Sequence, residues 1–176
     1  MHYIALGVGF FVGAQVCARL QDKVYAQLKR HYGVALGRPE FRVPLMLPGA
    51  VLVPAGLLVY GWCAQRRTHW LGPDVGAAVF AAGTMACFQC IQAYLVDTYT
   101  LYAASALAAA TVLRSLAGFG FPLFAPRLFE RLDYGWGTTL LAALAVLIGW
   151  PAPLLLWRYG EALRARSPFA AGSPGL

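Results

Sequence analysis

The sequence predicts an all-α integral membrane protein with about five transmembrane helices, and three observations carry that reading. Hydrophobic residues make up 60% of the 176 and charged residues only 12%, whereas water-soluble domains are about a quarter charged. Charge is absent altogether between Arg42 and Arg66, between Asp74 and Asp97, and between Asp133 and Arg158. Each of these gaps holds 22 to 24 residues, and about 20 suffice to cross roughly 30 Å of hydrocarbon as a helix. A chain with so few polar side chains finds its solvent in lipid, where every backbone group must bond within its own helix.

The first span is expected over residues 1–18, an uncharged run at the short end of the range. A signal peptide would carry its basic residues before the apolar run; here Arg19 and Lys23 follow it. Leu20, Val24, Tyr25 and Leu28 then share one helical face, which predicts an amphipathic continuation of the first span along the membrane surface. The second and third spans are expected over 43–64 and 75–96. The fourth, 102–124, holds one charge, Arg114, and the fifth is expected over 137–157. Residues 1–166 thus form one helical bundle, and the Pro-, Gly- and Ala-rich tail 167–176 is expected to be disordered. Trp62, Trp70, Trp136 and Trp157 fall near span ends, where interfacial aromatic anchors belong.

Orientation follows from the basic residues. The first loop carries Arg19, Lys23, Lys29, Arg30, Arg38 and Arg42, and the tail carries Arg158, Arg164 and Arg166. Summed by side, the count is nine against four, which places the first loop and the C-terminus in the cytoplasm. Five spans then put the N-terminus outside, an arrangement that suggests missing sequence upstream. The net charge of +7 is explained by these loops, so nucleic acid is not an expected partner.

Several motifs have structural readings. Gly9-x-x-x-Gly13 forms a small-residue face that lets two membrane helices approach closely. The spacing Gly7-x-Gly9-x-x-x-Gly13 misses the dinucleotide pattern by one position and has no strand before it. Cys87-x-x-Cys90 has no second pair and no nearby histidine, so the four cysteines read as small apolar space-fillers. His2, His31 and His69 are too scattered for a metal site. No metal or cofactor is expected, and no catalytic triad, carboxylate pair or phosphate loop appears. Pro44, Pro48 and Pro54 in the second span and Pro122 and Pro126 at the end of the fourth predict bends.

Polar residues at membrane depth are the candidates for function, since such groups usually face a bundle interior, a cavity or a partner. If the third and fourth spans form a hairpin turning near Thr100, Arg114 lies about 20 Å from the turn, level with residues 87–89. It is then within reach of Gln89 or Gln92, either bracing the packing or lining a pathway. Asp97 ends its span beside Tyr99, placed to cap the next helix or to pair with a basic residue of another loop. A proton-carrying role would require it to be shielded from water.

The run Ile91-Gln-Ala-Tyr-Leu-Val-Asp97-Thr-Tyr99, then Tyr102-Ala-Ala-Ser-Ala-Leu-Ala-Ala-Ala-Thr-Val-Leu-Arg114-Ser115, Gly118 and Phe121-Pro-Leu-Phe124, resembles the tenth and eleventh spans of fungal drug:proton antiporters of the major facilitator superfamily. Asp22-Lys-Val-Tyr25, Pro39-Glu-Phe-Arg42, Tyr60-Gly-Trp62 and His69-Trp70 are similar to flanking pieces of that family. The resemblance covers about Gly7 to Arg166 and departs at Ala93 and Ala110, where asparagine is common. It implies spans eight to twelve of a twelve-span fold, an incomplete C-terminal half lacking the whole N-terminal half. It also implies a cytoplasmic C-terminus, a plasma-membrane location, and descent from a proton-coupled exporter of drugs or secondary metabolites. The implied partners are the lipid bilayer, a small organic substrate and another transporter half. Two other readings stand beside it. One is a non-transporting remnant or incomplete gene model that only packs with other membrane proteins. The other is a small membrane-embedded enzyme such as a cyclase or transferase, which would need two acidic residues in one cavity; Asp74 and Asp97 lie at opposite ends of one span.

Overall fold

A computed structural model describes residues 2–32, 39–66, 69–165 and 167. Five α-helices follow in order: α1 His2–Tyr32, α2 Met46–Gln65, α3 Leu71–Thr98, α4 Ala103–Gly149 and α5 Pro151–Ala165. Short 3₁₀ segments, Pro39–Leu45 and Thr100–Tyr102, lead into α2 and α4. No strand occurs among the described residues, and four continuous helical stretches are long and apolar enough to cross a membrane. The chain is a multi-pass integral membrane protein. The expected tail lies, apart from Ser167, outside the described residues.

The large side chains point away from the interior. Ile4, Phe11, Leu113, Phe119, Leu147 and Ile148 are all more than three-fifths exposed, while the interior holds residues as small as Ala81, Cys90 and Gly83. Lipid supplies the apolar environment that an interior supplies in a soluble protein, so contact between helices depends on close packing rather than on escape from water.

That packing is built from glycine and alanine. A Cβ on Gly13 of α1 would lie 2.7 Å from the Ala82 Cα of α3, and one on Gly9 would collide with the Ala78 carbonyl. The offset is the same at both positions, so α1 and α3 run parallel. On its other side α3 meets α2 in the opposite direction: a Cβ on Gly76 would lie 2.8 Å from Tyr60 Cα, and one on Gly83 2.8 Å from Leu52 Cβ. Threonine hydroxyls in these helices donate back to carbonyls of their own helix, Thr84 to Phe80 (2.8 Å) and Thr111 to Leu107 (2.8 Å).

Three expectations are corrected. The stretch after Arg19 does not turn to lie across the membrane surface; α1 continues unbroken for 31 residues, about 46 Å. It continues because Gln21 is buried and Tyr25 packs edge-on against Phe41, with ring centroids 6.1 Å apart. The proline-rich stretch is one span, Phe41–Gln65, but of its three prolines only Pro54 lies within the body of α2. Pro44 falls in the 3₁₀ segment and Pro48 in the first turn of α2, where backbone donors lack helical acceptors in any case.

The third correction concerns the expected loop between the fourth and fifth spans. Helix α4 passes through Pro122 and Pro126 and reverses only at Asp133, at φ 57° and ψ 171°. Its first arm, 103–132, meets α3 near its start, up to Arg114 over Phe88, and is exposed beyond, while the second, 134–149, runs antiparallel to α2. There a Cβ on Gly61 would collide with Thr138, and the Trp150 indole donates to the Ala50 carbonyl at 3.3 Å. Phe129 stacks on Tyr134 across the reversal (5.4 Å) and lies against Gly137. Thr138 and Thr139 donate to the Tyr134 and Gly135 carbonyls at the start of the second arm. The fifth span is in turn interrupted at Trp150, because Pro151 brings no backbone donor.

Three outcomes test this architecture. Gly13→Leu should lower the melting temperature of the detergent-purified chain or abolish its folding, since overpacking costs about 1–3 kcal/mol. Gly118→Leu should leave it unchanged, because nothing lies within 4 Å of Gly118. Asp133 occupies a backbone region that favours glycine, at a cost of about 1–3 kcal/mol for other residues. Asp133→Gly should therefore raise the melting temperature, as fluorescence-detected size exclusion after heating would show.

Candidate functional site

Asp97 stands in the last turn of α3 and Arg42 in the 3₁₀ segment before α2. The two meet: Arg42 Nε donates to Asp97 Oδ2 at 2.6 Å, with side chains 20% and 29% exposed. The guanidinium also lies over the Tyr25 ring of α1, 4.8 Å from its centroid. Tyr25, the 3₁₀ segment and Asp97 bring three elements together through one cation. Such partial burial makes the pair more than a solvated surface contact, which is worth little, without the full desolvation cost of a deeply buried one.

Beneath the ion pair lies an apolar plug made of Cys17, Val43, Met46, Cys90 and Tyr94, joined by Leu45, Ala86 and Leu156. Every helix except α4 contributes to it. Val43 is 1% exposed and follows Arg42 directly, so the same short segment sets both the charge and the plug.

The other candidates are placed differently. Arg114 lies on the exposed side of the first arm of α4, its guanidinium 5.2 Å over the Phe88 ring. That is the depth the hairpin count gives, but an aromatic face and not an amide receives the cation. Among the described residues no hydrogen bond joins Arg114 to Gln89 or Gln92. Gln89 follows Ala82 by seven residues and so falls on the α1-facing side of α3, whereas Gln92 follows Phe88 by four and falls toward α4. The Gln89 side-chain oxygen is buried without a hydrogen-bond partner. Gly9 and Gly13 occupy the contact with α3 described above.

An open apolar groove of about 570 Å³ runs between the end of α3 and the start of α4. Leu95, Tyr99, Tyr102, Ala106, Ala110 and Leu113 line it. At the far end of the bundle Trp62 and Trp136 meet edge to face at 6.0 Å. No group of three metal-ligating side chains occurs among the described residues.

Sequence reading singled out Asp97 without its partner. The signal was present: two spans, the second and the third, separate Arg42 from Asp97, so the two fall on the same side of the membrane.

The chain is 48% identical over 173 residues, 98% of its length, to the efflux pump vrtL of Penicillium aethiopicum. It is 48% identical over 167 residues to the MFS-type transporter oryF of Aspergillus oryzae, and 44% over 166 residues to the probable efflux pump mfs2 of Aspergillus flavus. The chain carries a major facilitator segment of the efflux-pump type. It spans 34%, 35% and 39% of the length of these relatives, and 98%, 95% and 94% of the chain is covered. No family model matches it, and neither does any solved structure.

The ion pair has a quantitative consequence for this major facilitator segment. Asp97→Asn and Arg42→Gln should each lower the melting temperature. The double variant should lose less than the sum, with a coupling of about 1–2 kcal/mol in a thermal double-mutant cycle. Strict additivity would mean that the pair contributes nothing.

Proposed function

We propose that this polypeptide supplies the C-terminal helices of a proton-coupled exporter of small organic molecules, drugs or secondary metabolites. Its near-complete alignment with fungal efflux pumps is the observation that carries the reading. The bundle supports it: α1 and α3 run parallel with α2 antiparallel between their directions, as successive spans must. A polar clasp, Arg42–Asp97, stands at the end expected to face the cytoplasm. In this reading the clasp holds the first loop to the end of α3, while Gln92 and the Tyr99–Tyr102 groove border the substrate pathway. Asp97 is a bracing residue whose charge is matched by Arg42, and Arg114 fixes the first arm of α4 against Phe88.

The basic residues support a cytoplasmic C-terminus and first loop, and the relatives' efflux names support the plasma membrane as the site of action. The partners in this reading are lipid, a small organic substrate and a second transporter half; nucleic acid has no part in it. Alternating access requires two halves that rock about a central site. The share of about a third of each relative therefore favours a second reading, in which a polypeptide of this extent packs with another membrane protein and transports nothing alone.

Proteoliposomes separate the two readings. With this polypeptide alone, proton-gradient-driven efflux of a fluorescent organic cation should be absent. Co-reconstitution with the N-terminal seven spans of a full-length relative should restore saturable flux, and Asp97→Asn should reduce it several-fold. Failure of every such pairing to transport would leave the packing role as the better account.

A further inference from the structure

Cys17 of α1 and Cys90 of α3 place their sulfurs 3.9 Å apart. They are 3% and 0% exposed, in the middle of the apolar plug. We propose that these two thiols form an oxidisable pair that closes to a disulfide and ties α1 to α3 inside the bundle. The pairing is not the one the Cys87-x-x-Cys90 spacing suggests. The Cys87 thiol faces α2, donating to the Met46 carbonyl at 3.8 Å, and the partner of Cys90 lies 73 residues away.

The two helices approach closely just before this pair. Glycine contacts at Gly9–Ala78 and Gly13–Ala82 hold α1 against α3, and the same offset brings Cys17 beside Ala86, whose carbonyl lies 3.7 Å from the Cys17 sulfur. Closing from 3.9 Å to a bond of about 2.05 Å moves each sulfur by less than its own radius. Metal capture is the competing use of two thiols, and the surroundings disfavour it. No third ligating group is at hand among the described residues, and a monovalent soft cation on two thiolates would leave net charge among Val43, Met46 and Tyr94. A disulfide is neutral.

Access exists for a small, uncharged oxidant. An apolar groove of about 210 Å³, lined by Val12, Val16, Cys17, Leu45, Leu52 and Ala86, opens beside the pair. Hydrogen peroxide can enter it; a charged tripeptide thiol such as glutathione cannot. One sulfur attacks a peroxide oxygen, giving a sulfenic acid and releasing water. The second sulfur then displaces the sulfenic oxygen as a second water. Two electrons and two protons leave the thiols, and one peroxide becomes two waters. The site stands on packing alone and does not depend on the transport reading.

The test uses the full chain in its membrane. After treatment with hydrogen peroxide, quenching and denaturation in SDS, free thiols are counted with a polyethylene-glycol maleimide. The chain carries four free cysteines, so the expected count falls from four to two and returns to four with dithiothreitol added after denaturation. Cys87→Ser and Cys63→Ser should each fall from three to one, whereas Cys17→Ser and Cys90→Ser should keep all three. Should a serine variant fail to fold, peptide mass mapping of the unaltered chain gives the same answer: one linked pair containing Cys17 and Cys90, two hydrogens lighter than the free peptides. Retention of four thiols, oxidation to sulfinic acid without linkage, or a link through Cys63 or Cys87 would overturn the proposal.

Discussion

How near α3 lets its neighbours come decides the rest of the structure. In lipid, apolar side chains gain nothing by leaving one hydrocarbon for another, so helices adhere through close van der Waals contact and local polar links. Gly76 and Gly83 on one side of α3, and Ala78 and Ala82 on the other, let α2 and α1 reach its backbone. With both neighbours at that distance, Arg42 is delivered to Asp97, Cys17 is delivered to Cys90, and Val43 seals the plug between them. Large residues at those few positions would separate all three contacts together.

The two ends of the bundle are held by different chemistry. At one end a cation is shared between a carboxylate and an aromatic ring, Asp97 and Tyr25, in partly wet surroundings. At the other, Trp62 and Trp136 meet edge to face, and Arg66 lies 5.8 Å over the Trp62 ring. The first end is held by an ion pair and the second by two rings in contact with a cation over one of them.

Much of this was legible in the sequence because the bilayer is a severe solvent. Uncharged stretches between Arg42 and Arg66 or Asp74 and Asp97 leave a chain few alternatives to crossing, and the Gly9–Gly13 spacing identifies a contact face. Depth was legible too: counting from the turn at Thr100 sets Arg114 level with Phe88, where its guanidinium lies. Lateral neighbours were not. Nothing in the local pattern says that Asp97 takes Arg42, that Gln21 is buried, or that Cys90 faces Cys17 instead of Cys87, because these depend on which helix faces which. The reversal at Asp133 was hidden for another reason. Arg127, Glu130, Arg131 and Asp133 look like a hydrophilic loop, yet helical backbone continues among them to the reversal itself.

That reversal leaves no slack. Two arms totalling some forty-six residues of helix, one touching α3 at its start and the other packed against α2, are joined through a single peptide corner where Phe129 lies on Tyr134. A flexible loop would let either arm tilt alone, but a corner this tight couples them like the limbs of a bent lever. Any rocking of the first arm is therefore handed to the second, and through the Trp150 indole to the α2 backbone, so motion entering at one flank of the bundle emerges at the other.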